Sequence, residues 1–426
     1  MTLALVIGAE LIPDETMANA LVAAGDDGPL NGANHAVTIL STRADRWTEC
    51  TALTMGLGDD DLAQPVTSAL QSRSMLRCEQ AAVRLQHFAD TGYLVAEGEY
   101  FRYWWADTAL LRPSVIAFGI PGSRVLFQTV LAGSFLGLLF AWRRRIGLLG
   151  ALALLGPIVV GTDFVTLYDA LPQAISLSAA LLVSIGVLRF AERAQRVSQF
   201  LVIGGAAGAV VHPFDLMISI PLAATLCVAT VVLVQYLRNS PVRSMASAGL
   251  AAGAGWGVGY GWVWLTKWMA IATVAGPSAV LANISDNVAF RVNGDVGESQ
   301  STPISGALSN VRYWIDNDFA LSTLVFEGVL LAIAVLLLLR RLPGARSIQP
   351  SSIRQLAAVA ATAALPFAWY GFASNHSEVH DWIMFRAVAL SAGLVAVALI
   401  LTTRAMQPAP QIENLDPLPS KELVHS

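Results

Sequence analysis

Residues 124–163 read RVLFQTVLAGSFLGLLFAWRRRIGLLGALALLGPIVVGTD, two apolar stretches separated by Arg143, Arg144 and Arg145. A hydrocarbon core about 30 Å thick is crossed by about 20 helical residues. Inside it every backbone N–H and C=O must be satisfied within the segment, so an apolar run of this length reads as a helix. The three arginines mark a turn at a membrane surface. The pattern therefore predicts one span over 124–142 and a returning span over 146–162.

The same alternation continues on both sides. Further spans are predicted at 172–189, 198–212, 216–237, 246–270, 321–339, 355–373 and 382–403. Arg189, Arg193 and Arg196, then Arg238 and Arg243, then Arg340, Arg341, Arg346 and Arg354, and finally Arg404 fall in every second connection. By the positive-inside rule that side is the cytoplasm. The opening MTLALVIGAELIP is apolar but lacks the basic start of a signal peptide, and it reads as a short or truncated first span. The expected fold class is an all-α polytopic membrane protein with about ten transmembrane helices and both termini cytoplasmic. The connections 14–122, 163–171, 213–215, 271–320 and 374–381 then lie outside the cell.

Composition agrees with this class. The chain has 426 residues, 55% hydrophobic and only 13% charged, with a mean hydropathy of +0.58; soluble proteins carry roughly 25% charge. The net charge of -4 separates into basic short connections and acidic long ones, which excludes a nucleic-acid surface. Four regions follow: a partial first span (1–13), an extracytoplasmic loop domain (14–122), a transmembrane bundle (123–404) with its outer loop at 271–320, and a polar cytoplasmic tail (405–426) expected to be disordered.

The loop domain carries most of the unusual sequence. Residues 67–89 have apolar side chains at helical spacing and predict an amphipathic helix. Cys50 and Cys78 could pair in an oxidising compartment, whereas Cys227 falls inside a span. EYFRYWWADTALLRP, residues 99–113, holds five aromatic residues and two charges of each sign. Trp and Tyr favour the membrane boundary. The stretch is read as an interfacial helix, with Trp104 as an anchor and Arg102 and Arg112 as phosphate or head-group contacts.

Candidate chemical groups collect in the outer connections. Asp45 and Glu49 are four apart, so a helix would place them on one face, where mutual repulsion can raise one pKa and produce a base. Asp163, Asp169, His212 and Asp215 sit at span ends, and Asp215 has no cation nearby in sequence. Lys267 lies among Trp256, Trp262, Trp264 and Trp268, as a snorkelling lysine or as a phosphate contact. Glu327 is the charge placed deepest in a span. His376 and His380 flank Glu378, with Arg386 following. The spacing is not that of a zinc-protease HExxH, and it suits a general acid or phosphate contact better. No Gly-rich phosphate loop, GxSxG elbow or CxxC pair occurs, which removes the usual signatures of ATP-driven pumps, serine hydrolases and thiol redox enzymes.

Three of these segments carry a resemblance. Arg102 to Pro113 has the form RYWxxxxxLLRP, Phe214 to Pro221 forms an FD…P boundary, and His376 to Arg386 reads HxxxHxxxxxR. Together they resemble bacterial multispan proteins of the GT-C glycosyltransferase type, which assemble cell-surface polysaccharides. Where that pattern has His-Gly-Tyr after Arg-Tyr-Trp, this chain has Trp105, Ala106 and Asp107. The acidic residue of such enzymes also lies close to the first span, which makes Asp14 and Glu15 competitors of Asp45. The resemblance implies a GT-C-like bundle with a mostly helical first outer loop, in the bacterial inner (plasma) membrane. It implies sugar transfer from a polyprenyl-phosphate donor to a glycan or lipid-linked acceptor on the outer face.

In that reading Asp45, or alternatively Glu49, is the base. Arg102, Trp104, Arg112, Asp215, Lys267, His376, His380 and Arg386 hold substrate. No cofactor is required, and a divalent metal is compatible but not demanded. The alternative is a transporter or flippase for a lipid-linked or acidic solute, with Asp215, Lys267 and Glu327 lining its path.

Overall fold

The structure is a computed structural model. It describes residues 2–25, 35–37, 43–57, 65–70, 73–74, 78–94, 97–99, 103–215, 217, 219–294, 301–340 and 349–405. The chain opens with α1 (Thr2–Glu10) and α2 (Asp14–Ala23), then β1 (His35–Val37) and β2 (Arg43–Asp45), which pair antiparallel. Helices α3 (Arg46–Thr54) and α4 (Pro65–Leu70) precede β3 (Arg73–Ser74), which pairs with β4 (Glu97–Glu99) across α5 (Cys78–Thr91). The expected single helix over 67–89 is therefore two helices with a strand residue pair between them. Cys50 and Cys78 form a disulfide that ties α3 to α5.

Among the described residues, seven helices are long and apolar enough to cross a membrane. They are α6 (Thr108–Val160), α7 (Leu171–Ala191), α8 (Val197–Val211, continued as a tight turn to Phe214), α9 (Ile220–Leu237), α13 (Phe319–Leu339), α14 with α15 (Pro350–Phe372), and Asp381–Thr403, which combines α17 (Asp381–Met384) with most of α18 (Arg386–Ala405). Between α9 and α13 come α10 (Val242–Ala275), α11 (Pro277–Asn293) and α12 (Pro303–Asp316). Helix α16 (Ser374–Val379) follows α15 (Leu365–Phe372).

The difference from ten expected spans has identifiable causes. α1 has nine residues, too few to cross. α10 has 34 residues, but its glycines and tryptophans dilute its hydropathy. The predicted spans 124–142 and 146–162 lie in the single element α6, which is interrupted at Gly119 (φ 66°, ψ 177°) and Gly147 (φ 67°, ψ 175°). That backbone region is essentially closed to side-chain-bearing residues. Arg143–Arg145 stay helical, and the chain turns just after them, where Gly147 permits it.

Polar contacts gather the arginine-rich connections at one end. Arg145 forms an ion pair with Glu192, its Nη2 lying 2.6 Å from Oε2. Arg238 donates to the carbonyls of Ala194 (2.6 Å) and Glu192, and Gln355 donates to Ser240 O at 2.8 Å. The turns after the first half of α6, α7 and α9, and the start of α14, thus meet at one surface. Alternate connections share a side, as the arginine pattern requires.

Helices α8 and α10 pack by backbone contact. Gly204 and Gly208 face Gly255 and Gly259, and a Cβ on any of the four would collide with a carbonyl oxygen of the opposite helix. Small residues four apart leave a flat strip on each helix that lets the two axes approach closely. This contact fixes the register between the end of α8, at His212, and the middle of α10, at Tyr260.

Candidate functional site

The stretch expected to be an interfacial helix takes a different form. β4 ends at Glu99, residues 103–105 belong to neither helix nor strand, and α6 begins only at Thr108. Trp105 adopts φ 50°, unusual for a residue with a side chain. Side chains alternate across this segment. Tyr103 and Trp105 enter the main core, while Trp104 and Ala106 enter a smaller cluster with Val6, Ala69 and Ile271. The aromatic richness that suggests a membrane belt is thus spent on threading a short segment between two cores. It is pinned by Ala106 N–H donating to Pro213 O (3.1 Å) and Trp104 Nε1 donating to Val263 O (3.0 Å).

Opposite it, the Gly-on-Gly register brings His212 against Tyr260, with ring centroids 4.4 Å apart, and against Trp264 at 6.1 Å. Tyr103 stacks on Trp264 at 6.3 Å. Arg291, from the last turn of α11, lies 5.9 Å from the ring centres of both Tyr103 and Trp264 and donates to Tyr103 Oη at 2.7 Å and to Met217 Sδ at 3.0 Å. Asp215 accepts from Ser219 N (2.9 Å), Ser176 Oγ (3.3 Å) and Tyr260 Oη (3.3 Å). The result is a buried assembly of one carboxylate, one guanidinium, one imidazole and three large aromatic rings, drawn from four separate parts of the chain.

Two buried groups at this place lack hydrogen-bond partners. Neither ring nitrogen of His212 nor either carboxylate oxygen of Asp107 meets one among the described residues. Asp107 is 1% exposed and directly follows the segment pinned to Pro213. Burial pushes its carboxyl up to about 7, against the smaller opposing pull of the backbone N–H groups of Asp107 and Thr108. An unsatisfied buried carboxylate is costly, and a carboxyl near neutrality suits proton transfer.

The remaining expected residues are held elsewhere. Asp45 is described only in its backbone, at the end of β2, and Arg102 lies outside the described residues. Glu49 meets Arg124 at 2.6 Å and accepts from Leu171 N at 3.2 Å. Burial raises its carboxyl above the ordinary range, against the opposing pull of Arg124. Arg124 also lies 3.5 Å from Asp169.

Arg112 is fully buried. Its guanidinium donates to Ala9 O (3.0 Å) and Met55 O (2.9 Å) and lies within 3.6 Å of Glu10 and 3.5 Å of Asp14, so it staples the N-terminal helices to the loop domain. Lys267, also fully buried, donates to Ala69 O at 3.2 Å and lies 5.0 Å from the Trp104 ring centre. Arg386 makes a bidentate pair with Asp163, both contacts at 2.6 Å, and donates to Gln173 Oε1.

His376 packs against His380, ring centroids 4.6 Å apart, in a segment stitched to its neighbours. Asn375 donates to Phe290 O at 2.5 Å, Asn310 to Ser377 O at 2.8 Å, and Ser305 to Glu378 at 2.7 Å. Because α16 is tied to α11, the histidine segment and Arg291 are positioned by the same helix. Among the described residues no group of three His, Cys, Asp or Glu is arranged to hold a metal ion.

Of the expected residues, Asp215 falls in the aromatic assembly, with Trp104 and Lys267 in the adjoining cluster. Arg291, Tyr103, Tyr260 and Asp107 were not singled out from the sequence for this place. Asp107 carried a signal, since it stands where the resembled pattern differs. Arg291 carried none, being one arginine in a long connection. No protein-family model, curated protein or solved structure matches the chain.

Proposed function

We propose that this protein is a membrane glycosyltransferase of the GT-C type, transferring a sugar from a polyprenyl-phosphate donor to a cell-envelope glycan or lipid-linked acceptor. The observation that carries this reading is the buried Asp107 carboxylate, without a hydrogen-bond partner among the described residues, one residue from the Ala106–Pro213 contact that ties its segment to an assembly offering a guanidinium, an imidazole and aromatic faces. In the proposed step a carboxylate takes the proton from the acceptor hydroxyl. The acceptor oxygen then bonds to the anomeric carbon as the bond from that carbon to the phosphate oxygen breaks, with inversion. The departing lipid phosphate carries the negative charge, which Arg291 and Lys267 would stabilise. Aromatic faces suit a sugar ring's apolar side.

Asp107 joins Asp45 as candidate base. Glu49 is the weaker of the carboxylates first considered, because its pairing with Arg124 occupies it. Asp163 similarly occupies Arg386, leaving Arg386 as a positioning residue. The Cys50–Cys78 disulfide supports placing the loop domain in an oxidising compartment, and with the arginines gathered at the opposite end it supports a bacterial plasma-membrane orientation with cytoplasmic termini.

The test is transfer by membranes carrying the wild type, Asp107→Asn or Asp45→Asn, supplied with labelled polyprenyl-phosphate sugars. Label in glycan that is lost in one variant at equal protein level supports that base. No label from the wild type across a broad donor panel removes the transferase reading. A transporter remains the second reading on one observation: both carboxylate oxygens of Glu327, inside α13, are buried without hydrogen-bond partners among the described residues. Glu327-dependent solute uptake by vesicles in the absence of any transfer would favour it.

A further inference from the structure

A groove at the arginine-rich end points to a second ligand. Between α7 and α8 lie two adjoining cavities, each of about 340 Å³, sharing Phe190, Val202 and Ile203. One is almost wholly apolar, walled by Val183, Gly186, Val187 and Val210 among others. The other opens at the turn between the helices and is lined by Arg193, Ser198 and Gln199. The space continues from hydrocarbon depth to a cationic mouth.

The charge at that mouth is uncompensated. Glu192, the acid of this turn, is taken by Arg145. Among the described residues Arg193 has no side-chain hydrogen bond or ion pair, and Arg189 and Arg196 bring further positive charge within a few residues. Gln199 Oε1 accepts from the backbone N–H of Gln195 (2.7 Å) and Arg196 (2.9 Å), which leaves its amide NH₂ as a donor. A guanidinium with neighbouring amide and hydroxyl donors matches a phosphodiester, and the apolar extension matches an acyl chain. Both come together in one molecule only if the ligand is a lipid.

We infer that the α7–α8 groove binds an anionic diacyl phospholipid of the arginine-rich leaflet, its phosphate at Arg193 and Ser198 and one acyl chain along Gly186 and Val187. The groove is empty of side chain at Gly186, since a Cβ there would meet nothing within 4 Å. A larger residue at that position fills the acyl path without disturbing the helix packing.

Native mass spectrometry of the full chain released from detergent, with phosphatidylglycerol and phosphatidylcholine of identical acyl chains, tests this. The wild type is expected to retain phosphatidylglycerol about fivefold better, the scale of one surface arginine near an anionic lipid. Arg193→Gln is expected to erase that preference while phosphatidylcholine adducts persist. Gly186→Phe is expected to reduce both adducts, with an unchanged melting temperature. An Arg193→Gln variant with the wild-type headgroup preference overturns the site. So does displacement of phosphatidylglycerol by millimolar inorganic phosphate with Gly186→Phe inert, which would mark an anion site without a lipid.

Discussion

Two arrangements of buried carboxylates lie toward the disulfide-bearing end of the bundle. Asp163 and Glu49 each face a guanidinium, with Arg386 gripping Asp163 in a bidentate fork and Arg124 holding Glu49 at 2.6 Å. Asp107 is equally buried and, among the described residues, is paired with none. The paired carboxylates connect elements far apart in sequence: the turn after α6 to α18, and the loop domain to α6 and α7. They act as joints. Asp107 joins nothing, and its burial destabilises the fold unless the group does something else. The lesson is that pairing, more than burial or location, separates a structural acid from a candidate reactive one.

The comparison breaks most readily at its strongest joint. Arg386→Ala strands Asp163 in the interior, and the loss is expected to be about 3–5 kcal/mol of stability, read as a fall in melting temperature or in folded yield. A melting temperature within a degree or two of wild type would mean the pair is no joint.

At Asp107 the opposite split is expected. Asp107→Asn should lower sugar transfer by about 10²–10⁴-fold with stability at pH 8 unchanged or raised. The sign follows from the raised carboxyl. The folded state binds this proton more tightly than the unfolded chain does, so the ionised group destabilises the fold. Stability should fall as pH rises from about 4 toward about 7 and then level off, by a few kcal/mol, and Asp107→Asn should flatten that slope. Transfer should show the mirror image, rising as Asp107 loses its proton near pH 7. A variant that loses stability and activity together would place Asp107 with the joints.

Gly208→Leu tests the register that positions His212. Overpacking this backbone contact is expected to cost about 1–3 kcal/mol and to lower transfer through misplacement of His212 and Tyr260. At the small end, Arg145→Gln removes an ion pair that is partly open to solvent, with side chains 23% and 36% exposed, and less than about 1 kcal/mol should follow.

Much of the architecture was legible in the sequence, and the reasons are physical. Hydropathy marks membrane helices because unpaired backbone is intolerable in hydrocarbon, and the arginines mark their connections because charge cannot rest there. What escaped depends on long-range pairing. Arg386 reads as a phosphate contact when seen alone, since its partner Asp163 is 223 residues away. Arg112 likewise reads as a surface cation until Ala9, Glu10 and Met55 are seen around it. The aromatic stretch misled because Trp and Tyr serve a membrane belt and a buried thread equally well. Gly204 and Gly208 read in the sequence only as part of the span at 198–212, because their meaning lies in the helix opposite.

The break at Gly147 bears on how the chain is made. Beyond it, the helical piece from Leu148 to Val160 is only about 20 Å long, well short of a hydrocarbon thickness of about 30 Å. A nascent chain that has just delivered this piece cannot commit it to the bilayer alone. Stable insertion has to await α7, so these two elements should leave the translocation machinery as a pair. Truncated chains released after Thr162 should accordingly remain open to alkaline extraction or protease at this segment.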